Sequence, residues 1–266
     1  MNIKLLITDL DGTFLNDEKE INPEFWDIYK KLKEKEITFI VATGRQLSTI
    51  VGQFESIKDE VVFIAENGSI VKKAGEIIHI DALKKDEVHK FIEIARTIEG
   101  VNIVMCGEST AYIESTEEKF LAKTEMYYHH LTVVEDLTKV DDTILKIALQ
   151  DAKGTENNSY LVLKEYENDY RIAMSGSDWV DITTFTATKG NAVSMIKKML
   201  NVSSEEIMVF GDYLNDYDMM QEGEHSFAMI NAHPKVKEVS KHITKYDNNN
   251  NGVIETIKEF LLDTIP

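Results

Sequence analysis

Two carboxylates two residues apart, Asp9 and Asp11, sit in Asp9-Leu10-Asp11-Gly12-Thr13, directly after the mostly apolar run from Ile3 to Thr8. The run reads as a buried parallel strand, and ligands of open α/β sheets bind just beyond the carboxyl ends of such strands. On a straight strand the two side chains would diverge, but Gly12 permits a tight turn that brings both toward one pocket. One carboxylate can then attack while its neighbour moves a proton. Attack on a phosphorus centre ringed by anionic oxygens requires a cation bridging the two groups and donors around the equatorial oxygens.

Three further clusters supply these. The run from Ile37 to Ala42 is a second strand candidate and leads into Thr43-Gly44-Arg45, placing a hydroxyl and a backbone amide at another strand end. Lys189-Gly190 precedes the periodic positions Ala192, Val193, Ile196, Met199 and Leu200, so Lys189 opens a helix, where a cation opposes the dipole and an anion is welcome. A lysine so placed is aimed at an anion. Ile207 to Phe210 is a third strand candidate, ending in Gly211-Asp212-Tyr213-Leu214-Asn215-Asp216, which brings more hard oxygen ligands to the same sheet edge. Carboxylates without Cys or His favour Mg²⁺.

With these four motifs in this order, the chain resembles the haloacid dehalogenase-like superfamily of aspartate-nucleophile phosphatases. Glu66-Asn67-Gly68, Ala228-Met229-x-Asn231-Ala232 and Asn251-Gly252-Val253 draw it closer to the Cof-type branch, and the matches run from Met1 to Pro266. The resemblance implies Asp9 as the nucleophile that forms an aspartyl-phosphate, and Asp11 as the acid that protonates the leaving alcohol and then activates water. It implies Mg²⁺ held by the carboxylates of Asp9 and Asp212 and the backbone carbonyl of Asp11, with Asp216 supporting from nearby. Thr43, the Gly44 amide and Lys189 would cover the transferring oxygens, and Asn215 would orient Lys189 or the phosphate. Arg45 and Asn67 would support the substrate or the loop. The reaction implied is Mg²⁺-dependent hydrolysis of a small phosphorylated metabolite, a sugar phosphate or a phosphorylated cofactor. A phosphosugar mutase of the same superfamily would use the same nucleophile. A non-catalytic, phosphometabolite-binding regulator would keep the pocket and lack a catalytic residue, and none is missing.

Taken singly, Asp9, Asp11, Asp212 and Asp216 suit ordinary turn or N-cap positions, and Lys189 suits the protein surface. Their ordered recurrence at strand and helix ends decides against that reading.

A chain of 266 residues suits a main domain carrying a sizeable insertion. Residues 1–82 alternate strand and helix in doubly wound fashion, with Pro23 opening a helix that carries Phe25, Trp26, Ile28, Tyr29 and Leu32, and a hairpin around Ala74-Gly75. Over residues 83–186 the texture changes: a helix near 86–98, strands at 101–105 and 111–113, a helix near 117–128 and shorter elements to 182. No phosphate or metal motif falls there. The first pattern resumes over 187–266. The expected fold is α/β, a doubly wound, mainly parallel Rossmann-like core with an inserted α+β domain. By resemblance the insertion is the family's large α/β cap; an insertion joined by two crossings is expected to act as a hinged lid, with hinges near 82–84 and 184–188.

With 47 acidic against 29 basic side chains, nucleic acid and anionic membranes are poor partners, so phosphate must be drawn in locally by Mg²⁺, Lys189 and backbone amides. Cys106 is the only cysteine; no internal disulfide can form, and it reads as a small apolar strand residue. No apolar run approaches the ~20 residues of a membrane span, and the chain opens on a strand without a charged leader, so a cytoplasmic protein is expected. His129 and His130 lack further ligands at metal spacing and read as a surface or cap-interior pair. Met195, Met199, Met219 and Met220 read as core fill, and the run from Asp247 to Gly252 as a solvated connection with a flexible tip. Oligomeric state leaves no mark in the sequence.

Overall fold

A computed structural model of the chain describes residues 2–262 other than 109, 129 and 176, so His129 lies outside the described residues. Strand β1 (Leu5–Thr8), helix α1 (Phe25–Glu34), β2 (Thr38–Ala42), α2 (Leu47–Gln53) and β3 (Val62–Ala65) alternate, and β4 (Ile70–Lys73) and β5 (Glu76–Ile80) follow. The β4–β5 turn holds Ala74 and Gly75 at φ of 50° and 82°, the paired positive angles that match the twist of a two-residue hairpin. Next come α3 (Lys85–Arg96), β6 (Val101–Gly107), β7 (Ala111–Ile113), α4 (Glu118–Thr124), β8 (Leu131–Val133) and β9 (Ile144–Asp151). After them run α5 (Ser159–Leu163), β10 (Tyr170–Met174), β11 (Trp179–Thr184), α6 (Lys189–Leu200), β12 (Ile207–Gly211) and α7 (Tyr217–Met220). The chain closes with β13 (His225–Ala228), α8 (Pro234–Val239), β14 (His242–Ile243) and α9 (Gly252–Ile257).

The chain divides into two compact units, one built from residues 1–45, 50–78 and 188–266, the other from 46–49 and 79–187. In the first, eight strands lie in the order β14-β13-β12-β1-β2-β3-β4-β5. From β14 to β3 all pairs are parallel, and β4 runs antiparallel to β3. The chain winds outward from β1 in one direction through β2 and β3, and from β12 in the other through β13 and β14. The strand order therefore switches between β1 and β12, where a crevice opens at the carboxyl ends of an α/β sheet. Both strands are buried along their whole length, as continuous apolar runs with helices on either face should be. Helix α1 buries Phe25, Ile28, Tyr29 and Leu32, the i, i+3, i+4, i+7 stripe. Phe25 packs edge-on against Phe14 at 4.9 Å and tilted against Phe39 at 5.0 Å, which pins the loop after β1 to the sheet.

In the second unit a six-stranded sheet runs β10-β11-β9-β6-β7-β8, antiparallel except for β7 with β8. One face, with Ile103, Met105, Ile147 and Leu149, packs on Val88, Phe91, Ile92 and Ala95 of α3. The other, with Val104, Cys106 and Ala148, packs on Phe120 and Tyr128. Cover on both faces explains why β9, read from sequence only as one of several shorter elements, is an eight-residue strand buried throughout. Helix α4 stops at Thr124, before the 128 expected, because Tyr127 and Tyr128 turn to pack on Trp179 at 5.9 and 6.3 Å.

Met219 and Met220 are fully buried, whereas Met199 is 47% exposed and is not core fill. The run from Asp247 to Gly252 is pinned rather than loose: Asn248 is buried, and its amide donates to the Leu15 carbonyl at 3.1 Å. Among the described residues no helix is long and apolar enough to cross a membrane.

Candidate active site

The Asp9 amide extends the β1–β12 ladder by one bond, donating to the Phe210 carbonyl at 3.1 Å, and so sets Asp9 beside the end of β12. The chain then turns on Leu10, whose carbonyl accepts from the amides of Thr13, Phe14 and Leu15 at 3.3, 3.0 and 2.8 Å. Gly12 is required twice over. Its φ is +78°, and a Cβ there would stand 2.5 Å from Asp212 Oδ2. The turn thus brings the β1 loop backbone onto the carboxylate that follows β12, and Thr13 Oγ1 donates to Asp212 Oδ1 at 2.9 Å.

Lys189 is the first residue of α6, whose N-cap Thr188 accepts from the Asn191 amide at 3.0 Å. Its side chain has no exposure, and its Nζ donates to Asp9 Oδ1 at 2.6 Å and to Asp216 Oδ1 at 2.7 Å. The anion anticipated from its place at a helix start is this carboxylate pair. Two glycines let the backbones close around it: a Cβ on Gly68 would meet the Thr188 carbonyl at 2.3 Å, and one on Gly190 would meet Asp218 Cβ at 2.5 Å. The other oxygen of Asp216 accepts from the amides of Asp212 and Tyr213 at 2.9 and 3.1 Å, so Asp216 is held from both sides.

Asp9, Asp212 and Asp216 each offer an oxygen within 4.8 Å of the others. Burial, the largest influence, pushes the Asp9 carboxyl well above the usual carboxylate range, with Asp216 and Asp212 adding to the rise against the pull of Lys189. Asp212 is raised to about 6, by burial first and by Asp216 second. Burial alone would lower Lys189, but Asp216 and Asp9 reverse that and raise it. Three carboxylates around one ammonium carry surplus negative charge on hard oxygen donors, which fits a divalent cation such as Mg²⁺.

Asp11 faces a different set of partners. Arg45 grips it with two bonds, Nε to Oδ2 at 2.7 Å and Nη2 to Oδ1 at 2.6 Å, and Lys19 Nζ reaches Oδ1 at 2.8 Å. Burial would raise this carboxyl, but Arg45 and Lys19 together hold it below its ordinary value. Arg45 is itself placed by the loop after β2: its amide donates to Thr43 Oγ1 at 3.2 Å, and its carbonyl accepts from the Glu66 amide at 3.1 Å. Asn67, at a φ of 55°, binds the Thr43 carbonyl through its amide at 3.0 Å. Its side-chain oxygen accepts from Asn215 Nδ2 at 3.0 Å. A Cβ on Gly44 would stand 3.2 Å from the Asn67 amide atoms, so these two loops interlock.

Asp9, Lys189, Asp212 and Asp216 therefore share one cluster, and Thr43, Arg45 and Asp11 a second, joined to the first through the turn at Leu10. Asn215, read as orienting Lys189 or the phosphate, donates to Asn67 Oδ1. Sequence reasoning gave no role to Lys19 or to the Thr13 hydroxyl. Thr13 stood in a motif that already pointed to the site, whereas nothing marked Lys19.

Residues 6–257 match the family described as haloacid dehalogenase-like hydrolase. Over its whole length the chain is 32% identical to an Escherichia coli K12 protein named 5-amino-6-(5-phospho-D-ribitylamino)uracil phosphatase YbjI, of which it covers 99%. It is 26% identical, over 98% of its length and 97% of the relative's, to YcsE of Bacillus subtilis 168, which bears the same enzyme name. The crystal structure of TM0651 from Thermotoga maritima is similar with a TM-score of 0.86 at 26% identity, covering 99% of this chain and 98% of that one. The chain belongs to the haloacid dehalogenase-like hydrolases, in their Cof-type branch.

Proposed function

We propose that this hydrolase of phosphoric monoesters is an Mg²⁺-dependent phosphatase that passes the phosphoryl group of a small metabolite through Asp9 to water. The observation that carries the reading is the cluster of Asp9, Asp212 and Asp216 at the strand-order switch, with one fully buried lysine bonded to Asp9 and Asp216. Asp9 attacks phosphorus and forms the new P–O bond, and the leaving oxygen departs with a proton from Asp11. Asp11 then takes a proton from water, whose oxygen attacks phosphorus and returns Asp9 to the carboxylate. The ionised Asp11 held by Arg45 and Lys19 is the form that activates water. For the first step it takes up a proton as the substrate's anionic oxygens compete for Arg45.

Asp9, Asp212 and the Asp11 carbonyl would hold the Mg²⁺, with Asp216 in support; when bound, the ion screens the phosphoryl oxygens from the attacking carboxylate. Lys189 fixes the Asp9 rotamer and partly neutralises it. Thr43 and the Gly44 amide supply donors for the transferring oxygens. In this reading the unit of residues 46–49 and 79–187 corresponds to the family's cap. Two relatives named for a phosphorylated ribitylaminouracil support a sugar phosphate or phosphorylated cofactor as the substrate class.

The test is inorganic phosphate release across a panel of phosphorylated metabolites, with and without Mg²⁺, for wild type and Asp9→Asn. The reading expects Mg²⁺-dependent release that Asp9→Asn abolishes. Phosphate transfer between sugar hydroxyls without release would identify a mutase instead, and full activity in Asp9→Asn would overturn the assignment.

A further inference from the structure

We propose that Lys19 is a positioning residue for Asp11, and that the asparagine-rich run from Asp247 to Gly252 is the clamp that holds the Lys19 loop in place. The proposal rests on the reading of Asp11 as the acid and base of the reaction.

Lys19 stands at a φ of +66°, in the left-handed region that L side chains rarely adopt. Such strain persists only where the surroundings impose it. Here they do so from two directions. Within the loop, the Asn16 amide donates to the Glu20 carbonyl at 3.2 Å, the Glu20 amide to Asn16 Oδ1 at 2.8 Å, and the Lys19 amide to the Asn16 carbonyl at 3.0 Å. From the far end of the chain, Asn248 and Asn249 close on Asp17. Its carboxylate accepts from Asn248 Nδ2 at 3.1 Å and Asn249 Nδ2 at 3.0 Å, and its amide donates to Asn249 Oδ1 at 3.0 Å. Asn248 Nδ2 also donates to the Leu15 carbonyl, on the short stretch between Asp11 and the loop.

The clamp is itself braced. Asp247 Oδ1 accepts from both the amide and the Nδ2 of Asn250 at 2.8 Å, and the Gly252 amide donates to the Asp247 carbonyl at 2.8 Å. A connection that only needed solvation would not converge on one aspartate 231 residues earlier.

At Asp11 the cations divide the carboxylate unequally. Oδ1 accepts from both Lys19 Nζ and Arg45 Nη2, while Oδ2 accepts from Arg45 Nε. The Lys19 side chain is 54% exposed, so screening leaves this pair little weight in stability; its value is directional. When an incoming phosphate draws Arg45 off Asp11, Lys19 is the cation that stays. It keeps Oδ1 engaged and leaves Oδ2 to carry the proton to the leaving oxygen.

The test compares kcat/KM for an alkyl phosphate, whose leaving oxygen must be protonated, with that for 4-nitrophenyl phosphate, whose leaving oxygen needs little help. Lys19→Met should lower the first about five- to tenfold and the second by less than about twofold, the size expected for one screened, charge-assisted contact. Lys19→Arg should recover most of the loss. Asn249→Ala should show a smaller loss of the same kind, and the double variant should fall no further than Lys19→Met alone, because both act through one contact. Equal losses on both esters, or losses that add in the double variant, would overturn the proposal while Asp9-dependent turnover by wild type left the phosphatase reading intact. No phosphate release by wild type from either ester would overturn both.

Discussion

Lys189 Nζ lies 2.6 Å from Asp9 Oδ1, across 180 residues of sequence and out of reach of solvent. The same ammonium bonds Asp216, and Asp216 in turn holds the backbone at Asp212. One buried cation thus ties the end of β1, the start of α6 and the loop after β12 into a single unit. With all three carboxyls ionised, they and the one ammonium leave two negative charges, the number a divalent ion balances.

Removing that ammonium should be costly for the fold as well as for turnover. Lys189→Met leaves Asp9 and Asp216 buried without their cation, a change that destabilises by about 3–5 kcal/mol in comparable sites. Urea unfolding should register the loss, and phosphate release should vanish even where the variant remains folded. A variant as stable as wild type would show that the pair is not bound in this way.

Burial, with the neighbouring Asp216 charge, gives Asp212 a pH dependence of definite sign. Asp212 is raised to about 6 in the folded chain, above its ordinary value. Well below about pH 4 it is protonated in both folded and unfolded states and costs nothing. As pH rises toward 6 the unfolded chain gives up the proton first, so this group's contribution to stability declines, and the decline is complete above the folded pKa. Carboxylates held low, such as Asp11 and Asp136, work in the opposite direction, so the Asp212→Asn difference isolates the effect. Without Mg²⁺, Asp212→Asn should gain on wild type in thermal stability as pH rises through this window. Mg²⁺ should stabilise wild type more at about pH 7 than at about pH 5, since it must displace a proton at the lower pH.

Gly12→Ala tests the contact between the two strand ends. Its Cβ would press on Asp212 Oδ2 at a φ that Ala avoids, with an expected cost of about 1–3 kcal/mol. Mg²⁺ affinity, read by titrating activity or thermal stability, should weaken with it. Unchanged affinity would mean that Asp212 is free to move aside.

Much of this arrangement was legible in the sequence because buried parallel strands are continuous apolar runs and chemistry gathers where they stop. Strands β1, β2 and β12 ended within a residue of the expected places, and their following residues, Asp9, Thr43 and Asp212, were marked by type alone. Strand β9 was obscured because Lys146 interrupts its apolar run and because burial on both faces erases alternation. The end of α4 depended on Trp179, more than fifty residues later in the chain. Lys19 was invisible for a related reason. A lysine in a polar loop looks like any surface lysine until its left-handed backbone, in a loop that Asn248 and Asn249 hold at Asp17, is seen with its side chain on Asp11.

Arg45 offers a sharper probe of Asp11 than its place in a loop suggested. Arg45→Lys keeps the charge and loses the two-bonded grip, and should cost about tenfold or more in kcat/KM with little change in stability. Full activity in that variant would reduce Arg45 to loop support.

In the proposed reaction Asp9 itself carries the phosphoryl group. Asp11→Asn, given an aryl phosphate and Mg²⁺, should form the acyl-phosphate but fail to hydrolyse it. Borohydride reduction of the trapped species followed by peptide mass spectrometry should then find homoserine at position 9, and none in Asp9→Asn. Turnover by wild type with no homoserine at position 9 in Asp11→Asn would rule out Asp9 as the carrier.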